Sequence, residues 1–266
     1  MKYYAVADVH GHCTILHDTL ERAGFFADPE PHKLIICGDL LDRGAETREM
    51  QAFLISLLRQ EQVILIRGNH EDLLERLVDD LIAGDTWLLE QGESIHNHNG
   101  TWLSALRLAD MTEAQALARP RELVAKVKQS PFWKFVLPAC LDYYETEHYV
   151  FTHGYIPCKS TTGSTKYAPY KGFYFNHGWR EADYEDWVNA RWYNGMEFVC
   201  KRDLGVRDKT VVCGHIHASY GHANLEERGG ENGARADYTT FFGDGVIGLD
   251  ACTVVSGFIN CLVVED

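Results

Sequence analysis

Five short clusters of Asp, His, Asn and Gly recur along the chain: Asp8-Val9-His10-Gly11, Gly38-Asp39-Leu40-Leu41-Asp42-Arg43-Gly44, Gly68-Asn69-His70-Glu71, His153-Gly154 and Gly214-His215-Ile216-His217. Carboxylate, amide oxygen and neutral imidazole are good ligands for first-row divalent cations. A carboxylate has two oxygens, so one Asp can serve two cations at once. Two cations held about 3.5–4 Å apart turn a bridging water into hydroxide at neutral pH. A single D-x-H or G-H-x-H carries little information, and turn formation or helix capping explains isolated Asp and Asn equally well. Five such clusters, each after the same kind of segment, carry much more.

Those segments are short, mainly apolar runs: Tyr3 to Ala7, Leu34 to Cys37, Val63 to Arg67, Tyr149 to Thr152 and Thr210 to Cys213. Four or five apolar or β-branched residues in a row indicate a strand covered on both faces, as in an α/β sheet. Helix-period segments separate the first three, notably Thr14 to Ala23 and Thr47 to Arg59. The resulting β-α-β-α-β pattern predicts a largely parallel sheet with right-handed crossovers. Ligands of such sheets bind beyond the carboxyl ends of the strands, where every cluster falls. Helices are also predicted over Glu71 to Leu89 and Glu113 to Lys128, and a hairpin over Leu141 to Thr152. Lys159 to Lys171 reads as an exposed loop, and Val246 to Leu249 and Val254 to Val264 read as closing strands. No linker or repeat divides the chain. It is expected to form one domain over 1–266, with a helical insertion at about 72–138 and a cap-like insertion at about 157–209.

With 25 basic and 39 acidic residues, the formal charge is −14. An acidic surface repels polyphosphate backbones, so no nucleic-acid partner is expected. No apolar run approaches the roughly 18 residues that cross a membrane. The opening segment lacks a signal-peptide pattern, and the expected location is cytoplasmic. The eight cysteines form no C-x-x-C pair; they are expected to be reduced, and none is assigned to chemistry.

In their order, the motifs D-x-H-G, G-D-x-x-D-R-G, G-N-H-E, H-G and G-H resemble the calcineurin-like metallophosphoesterases. The second and third resemble the phosphoprotein phosphatase branch, which includes bacterial Ser/Thr protein phosphatases and symmetrical diadenosine tetraphosphatases. The resemblance implies a four-layer αββα sandwich, with two mixed β-sheets flanked by helices. It also implies two divalent metal ions, with Mn²⁺ favoured over Fe or Zn. Asp8, His10 and Asp39 would hold the first, and Asp39, Asn69, His153 and His215 the second. His70, oriented by Asp42, would face the leaving group, and Arg43 and Asn69 would bind phosphate. A carboxylate beside His70 fixes its ring and favours its protonated form, and the planar fork of Arg43 matches a phosphoryl group.

Two departures stand out. The second phosphate-binding arginine of the family would lie between the last two histidine motifs, where Arg191 is the candidate and Arg180 the reserve. Ile216-His217 replaces the usual Thr after G-H, which makes His217 a candidate additional metal ligand. The expected function is a metal-dependent phosphoester hydrolase of the Ser/Thr phosphoprotein phosphatase type, using a dimetal-bridging hydroxide. The alternatives are a dinucleoside polyphosphate or other small phosphoester as substrate, and a metal-stabilised binding protein without catalysis. The oligomeric state is outside what the residues express.

Overall fold

A computed structural model describes residues 1–160 and 172–266. Most of the predicted loop over Lys159 to Lys171 therefore lies outside the described residues. The first sheet contains β1 (Lys2–Val6), β2 (His32–Cys37), β3 (Val63–Ile66) and β4 (Cys140–Leu141), all mutually parallel. The second contains β5 (Tyr144–Glu145) and β6 (Tyr149–Phe151), an antiparallel hairpin. A two-stranded ribbon, β7 (Lys159–Ser160) with β8 (Phe173–Tyr174), stands apart. The second sheet continues with β9 (Thr210–Cys213), β10 (Phe241–Gly243) and β11 (Val246–Gly248), in the order β10-β11-β9-β6-β5. The last strand, β12 (Leu262–Glu265), returns antiparallel to β1 and closes the first sheet.

Alternation along the strands sorts the side chains into layers. Tyr3, Ala5, Ile35, Cys37 and Ile66 face Phe151, Val212 and Ile247 of the second sheet in a shared apolar layer. Tyr4, Val6, Leu34, Ile36 and Leu65 point the other way, into a core formed with the helices. Trp179, Trp187, Met196 and Phe198 cover the far face of the second sheet. These are the four layers and two mixed sheets that the motifs imply.

The helices on the first sheet begin with α1 (Cys13–Ala23), α2 (Thr47–Arg59) and α3 (Asn69–Ala83). Between α3 and β4 come α4 (Trp87–Glu90), α5 (Ile95–Asn99), α6 (Thr101–Ala109), α7 (Glu113–Ala118) and α8 (Pro120–Gln129). The segment predicted as one helix from Glu113 is two, because Pro120 cannot continue a helix but starts one well. The segment Val254 to Val264, expected as strand, is instead a short helix at Thr253–Ser256 followed by strand only from Leu262. Gly257 takes a left-handed φ of 73° there and ends the helix. Among the described residues, no helix is long and apolar enough to cross a membrane.

The loops after β1 and β2 lie backbone against backbone. His10 N–H donates to Asp39 O at 2.9 Å, Gly11 N–H to Leu40 O at 3.0 Å, and Gly44 N–H to His10 O at 2.9 Å. A Cβ on Gly44 would collide with His10 O and come within 2.6 Å of the Gly11 carbonyl. Neither neighbour is a flexible side-chain end. Gly44→Ala is therefore expected to destabilise the fold by roughly 1–3 kcal/mol, as overpacking does. Thermal melting checks this, with Gly178→Ala as the control. A Cβ at Gly178 meets nothing closer than 3.7 Å, so that variant should melt like the parent.

Candidate active site

Six residues of the clusters hold left-handed backbone although none is glycine: Asp8, His10, Asp39, Asp42, Arg43 and His215, with φ between 43° and 63°. Such conformations are costly and persist only when their surroundings impose them. Glu71 is one agent. Buried at the start of α3, its carboxylate accepts from Gly68 N at 2.8 Å and from Asp39 N and Leu40 N at 3.0 Å. It caps its own helix, as a carboxylate at a helix N-terminus should, and pins the Asp39 loop with the same oxygens. Burial, then the charge on Asp39, push the Glu71 carboxyl up to about 7.

Asp39 stands at the centre, buried just past β2. Its Oδ2 lies 3.6 Å from His10 Nε2 and 3.6 Å from His70 Nε2, and its Oδ1 lies 3.3 Å from His153 Nε2. The ligand atoms gather into two triads, His10–Asp39–His70 and Asp39–His153–His215, that share this one carboxylate. Burial alone would raise the Asp39 carboxyl, but the histidines around it, His153 and His70 first, draw it down.

The orientation of each ring follows from what its Nδ1 meets. His10 Nδ1 faces Leu41 O at 3.2 Å, and His153 Nδ1 faces Cys37 O at 2.8 Å. A neutral ring that donates from Nδ1 keeps a lone pair on Nε2. Burial lowers the His10 pKa well below its ordinary value. Burial and then the neighbouring His153 push His215 down to about 3. Both are thereby kept in the form that binds metal.

The fit to a cation is clearest at Asn69. His153 Nε2 is 2.7 Å from Asn69 Oδ1, and His215 Nδ1 is 3.0 Å from the same oxygen. With the His153 proton given to Cys37 O, a nitrogen lone pair and an amide oxygen face one point without a proton between them. A divalent cation reconciles that arrangement, and the oxygen-and-imidazole donor set suits one.

His70 Nδ1 donates to Asp42 Oδ2 at 2.7 Å, and its backbone N–H to Asp39 Oδ1 at 3.1 Å. Burial alone would lower the His70 pKa; the Asp39 and Asp42 carboxylates overcome it, and the net direction is up. Arg43 reaches both neighbouring rings, with Nη1 3.1 Å from His10 Nε2 and Nη2 3.2 Å from His70 Nε2. His10, Asp39, Asn69, His70, His153, His215, Asp42 and Arg43 are thus brought together. Asp8 is buried beside them, but its Oδ2 accepts from His215 N at 2.9 Å and it belongs to neither triad.

Three expectations meet other partners. His217, expected as an extra ligand, turns its Nε2 toward Asp250 Oδ2 at 3.8 Å, packs edge-on against Tyr238 and lies outside both triads. Arg191 is not a free phosphate arm: it is buried, its Nη1 donates to Asp72 Oδ2 at 2.7 Å and its Nη2 is taken by Asp142. Arg180, the reserve, is bound by Glu145 and lies over the Trp179 ring. Nothing in the spacing shows that Asp72 and Asp142 converge on Arg191, because that contact joins segments far apart in the chain.

Other residues escaped the motif reading. His96 and His222, in polar stretches of the sequence, are buried. His96 Nε2 is on Asp80 at 3.0 Å and His222 Nδ1 on Glu226 at 2.8 Å, whereas His98 and His177 are exposed. Cys37 stands at C-x5-R spacing before Arg43, the pattern of thiol-based phosphatases. Its thiol lies between the two sheets, fully buried, with its pKa pushed up by that burial. It is a core residue, not a nucleophile.

Two nitrogen-and-oxygen triads that share one carboxylate, at the strand exits of a two-sheet sandwich, could each hold a metal ion. A family profile described as calcineurin-like phosphoesterase matches residues 1–232, and the chain belongs to that family. Serine/threonine-protein phosphatase 1 of Salmonella typhimurium is 28% identical over 116 residues, which cover 43% of this chain and 46% of that protein. The symmetrical bis(5'-nucleosyl)-tetraphosphatase of Actinobacillus succinogenes is 32% identical over 148 residues, 47% of this chain and 52% of its own. The chain spans about half the length of these curated relatives. A cold-active protein tyrosine phosphatase of known structure superposes with a TM-score of 0.51 at 16% identity, covering 99% of this chain and 73% of that one, and so shares the fold.

Chelator-treated protein titrated with Mn²⁺ in a calorimeter should take up two ions per chain. Each ion, at about 100 times its Kd, should add about 2.7 kcal/mol of stability. Asp39→Asn should weaken both sites together, and loss of only one would separate them.

Proposed function

We propose that this protein is a metal-dependent phosphoester hydrolase acting on phosphoserine and phosphothreonine in proteins. The observation that carries the reading is the His70–Asp42 pair, with His70 Nε2 3.6 Å from the Asp39 carboxylate that also faces His10, His153 and His215. Asp8, His10 and Asp39 would hold one cation, and Asp39, Asn69, His153 and His215 the other. When bound, the divalent pair supplies the charge that acidifies water and neutralises phosphoryl oxygens. We propose Mn²⁺, with Fe or Zn able to replace it, since the donors are oxygen and imidazole without thiolate.

The protein's own groups divide the remaining work. Arg43 offers its fork to phosphoryl oxygens as their charge rises, and Asn69 adds an amide beside it. His70, protonated, passes its Nε2 proton to the departing ester oxygen as the P–O bond breaks. The Nδ1 proton stays on the ring, donated to Asp42, which holds the ring through the transfer. We place the protein in the cytoplasm, a setting that suits eight cysteines with none in a disulfide.

A second reading, cleavage of a symmetrical dinucleoside polyphosphate, is favoured by the likeness to the tetraphosphatase. Against it stands the overall formal charge of −14. The cleft of about 270 Å³ beside Asn69 is lined by Asp79 and Arg76, and by Asp72 and Glu75, which are already paired with Arg67 and Arg191. The overall charge disfavours a polyanion and suits a phosphopeptide with basic neighbours.

With Mn²⁺-loaded protein, His70→Asn should lower kcat on phenyl phosphate by roughly 10²–10⁴-fold, and Asp39→Asn should abolish turnover with it. Intact turnover in either variant would end the hydrolytic reading. A basic phosphopeptide should be cleaved with higher kcat/KM than diadenosine tetraphosphate, and the reverse order would select the second reading.

A further inference from the structure

The loop that carries Asp42 and Arg43 has left-handed φ values of 63° and 55° at those two residues. Something outside the loop must impose them. The contacts come from one end and one stripe of α6, in the helical segment between β3 and β4. Gly100, just before α6, sits so close that a Cβ there would be 2.7 Å from Arg43 N. Thr101 Oγ1 donates to Asp42 Oδ2 at 2.7 Å. Asp42 N–H donates to Ser104 Oγ at 2.9 Å, and Arg107 Nη1 donates to Gly44 O at 2.6 Å. Positions 101, 104 and 107 follow helical spacing, so they form one polar stripe. Thr101 and Ser104 are fully buried. The adjoining faces of the helix, through Trp102, Ala105, Leu106 and Ala109, lie in the apolar core.

The Thr101 contact differs from the others because it touches the carboxylate. Asp42 Oδ2 accepts from Thr101 at 2.7 Å and from His70 Nδ1 at 2.7 Å. A carboxylate can only accept, so the Thr101 hydroxyl proton points at Asp42. Two donors on one oxygen fix the carboxylate plane, and that plane fixes the His70 ring. We infer that Thr101 is a positioning residue for the His70 acid, and that α6 is part of the catalytic apparatus. The inference rests on the proposed role of His70 as the group that protonates the departing oxygen.

Without the hydroxyl, Asp42 would keep His70 as a partner but lose the second restraint. Proton delivery would suffer most where the leaving group needs it. Phenoxide is a poor leaving group and dinitrophenoxide a good one, so the two aryl phosphates separate misplaced acid from general damage. In the Mn²⁺-loaded full chain, Thr101→Val should lower kcat for phenyl phosphate by about tenfold, a fraction of the 10²–10⁴-fold that a general acid supplies. Dinitrophenyl phosphate should be far less affected, and KM should hold for both. Thr101→Ser, which restores the hydroxyl, should recover the parent values. A second readout needs neither metal nor turnover. In the metal-free protein, the downfield proton resonance of His70 Nδ1–H, assigned by its loss in His70→Asn, should shift or broaden in Thr101→Val and return in Thr101→Ser. If the valine variant does not fold by circular dichroism, Thr101→Ala takes its place in both measurements. Equal loss on both substrates, or an unmoved resonance, would overturn the inference. If His70→Asn itself shows no dependence on leaving group, the reading of His70 fails instead. If His70→Asn shows that dependence and the Thr101 variants do not, the inference about Thr101 fails alone.

Discussion

A buried carboxylate shared by two sets of histidines is the constraint on which the rest of this structure depends. Asp39 is itself buried, two residues beyond the end of β2, where an unpaired charge is very costly. Imidazoles on both sides and the backbone amide of His70 make the charge tolerable. The same groups become a ligand set once a cation replaces protons as the source of positive charge. Glu71 reinforces the arrangement by tying Gly68, Asp39 and Leu40 together through backbone amides. The local backbone is strained, and the strain is held by hydrogen bonds rather than by flexible side chains.

The site belongs to neither sheet alone. Asp8, His10, Asp39 and Asn69 follow strands of the first sheet, whereas His153 and His215 follow strands of the second. The apolar layer between the sheets, with Ala5, Ile35 and Cys37 against Phe151 and Val212, sets the distance between the two groups. Close packing of this layer is therefore a condition of the chemistry, since a shift of even a methylene is felt through a dense core. The helical segment between β3 and β4 adds a third support from the side, through Thr101, Ser104 and Arg107.

Much of this was legible in the chain because local signals and global placement agree. Runs such as Leu34 to Cys37 can only be strands covered on both faces, and the polar residues that follow must lie at their ends. What converges there, however, depends on contacts between distant segments. Arg191 reads as a candidate phosphate ligand until Asp72 and Asp142 are seen to hold it. His217 has metal-ligand spacing but is met by Asp250. His96 and His222 sit in polar stretches, yet acidic neighbours allow both to be buried. Val254 to Val264 has strand-like residues, yet its beginning is a short helix that Gly257 ends. Thr101 gave no signal at all. A threonine at the start of a helix is commonplace, and only the tertiary fold brings its hydroxyl to Asp42.

Asp39 is proposed to bring two cations close enough together to act as one centre. Electron paramagnetic resonance of protein loaded with two equivalents of Mn²⁺ tests it directly. A multiline spectrum from exchange-coupled ions is expected, as for a pair about 3.5–4 Å apart. A simple six-line spectrum from isolated ions at full loading would contradict the account.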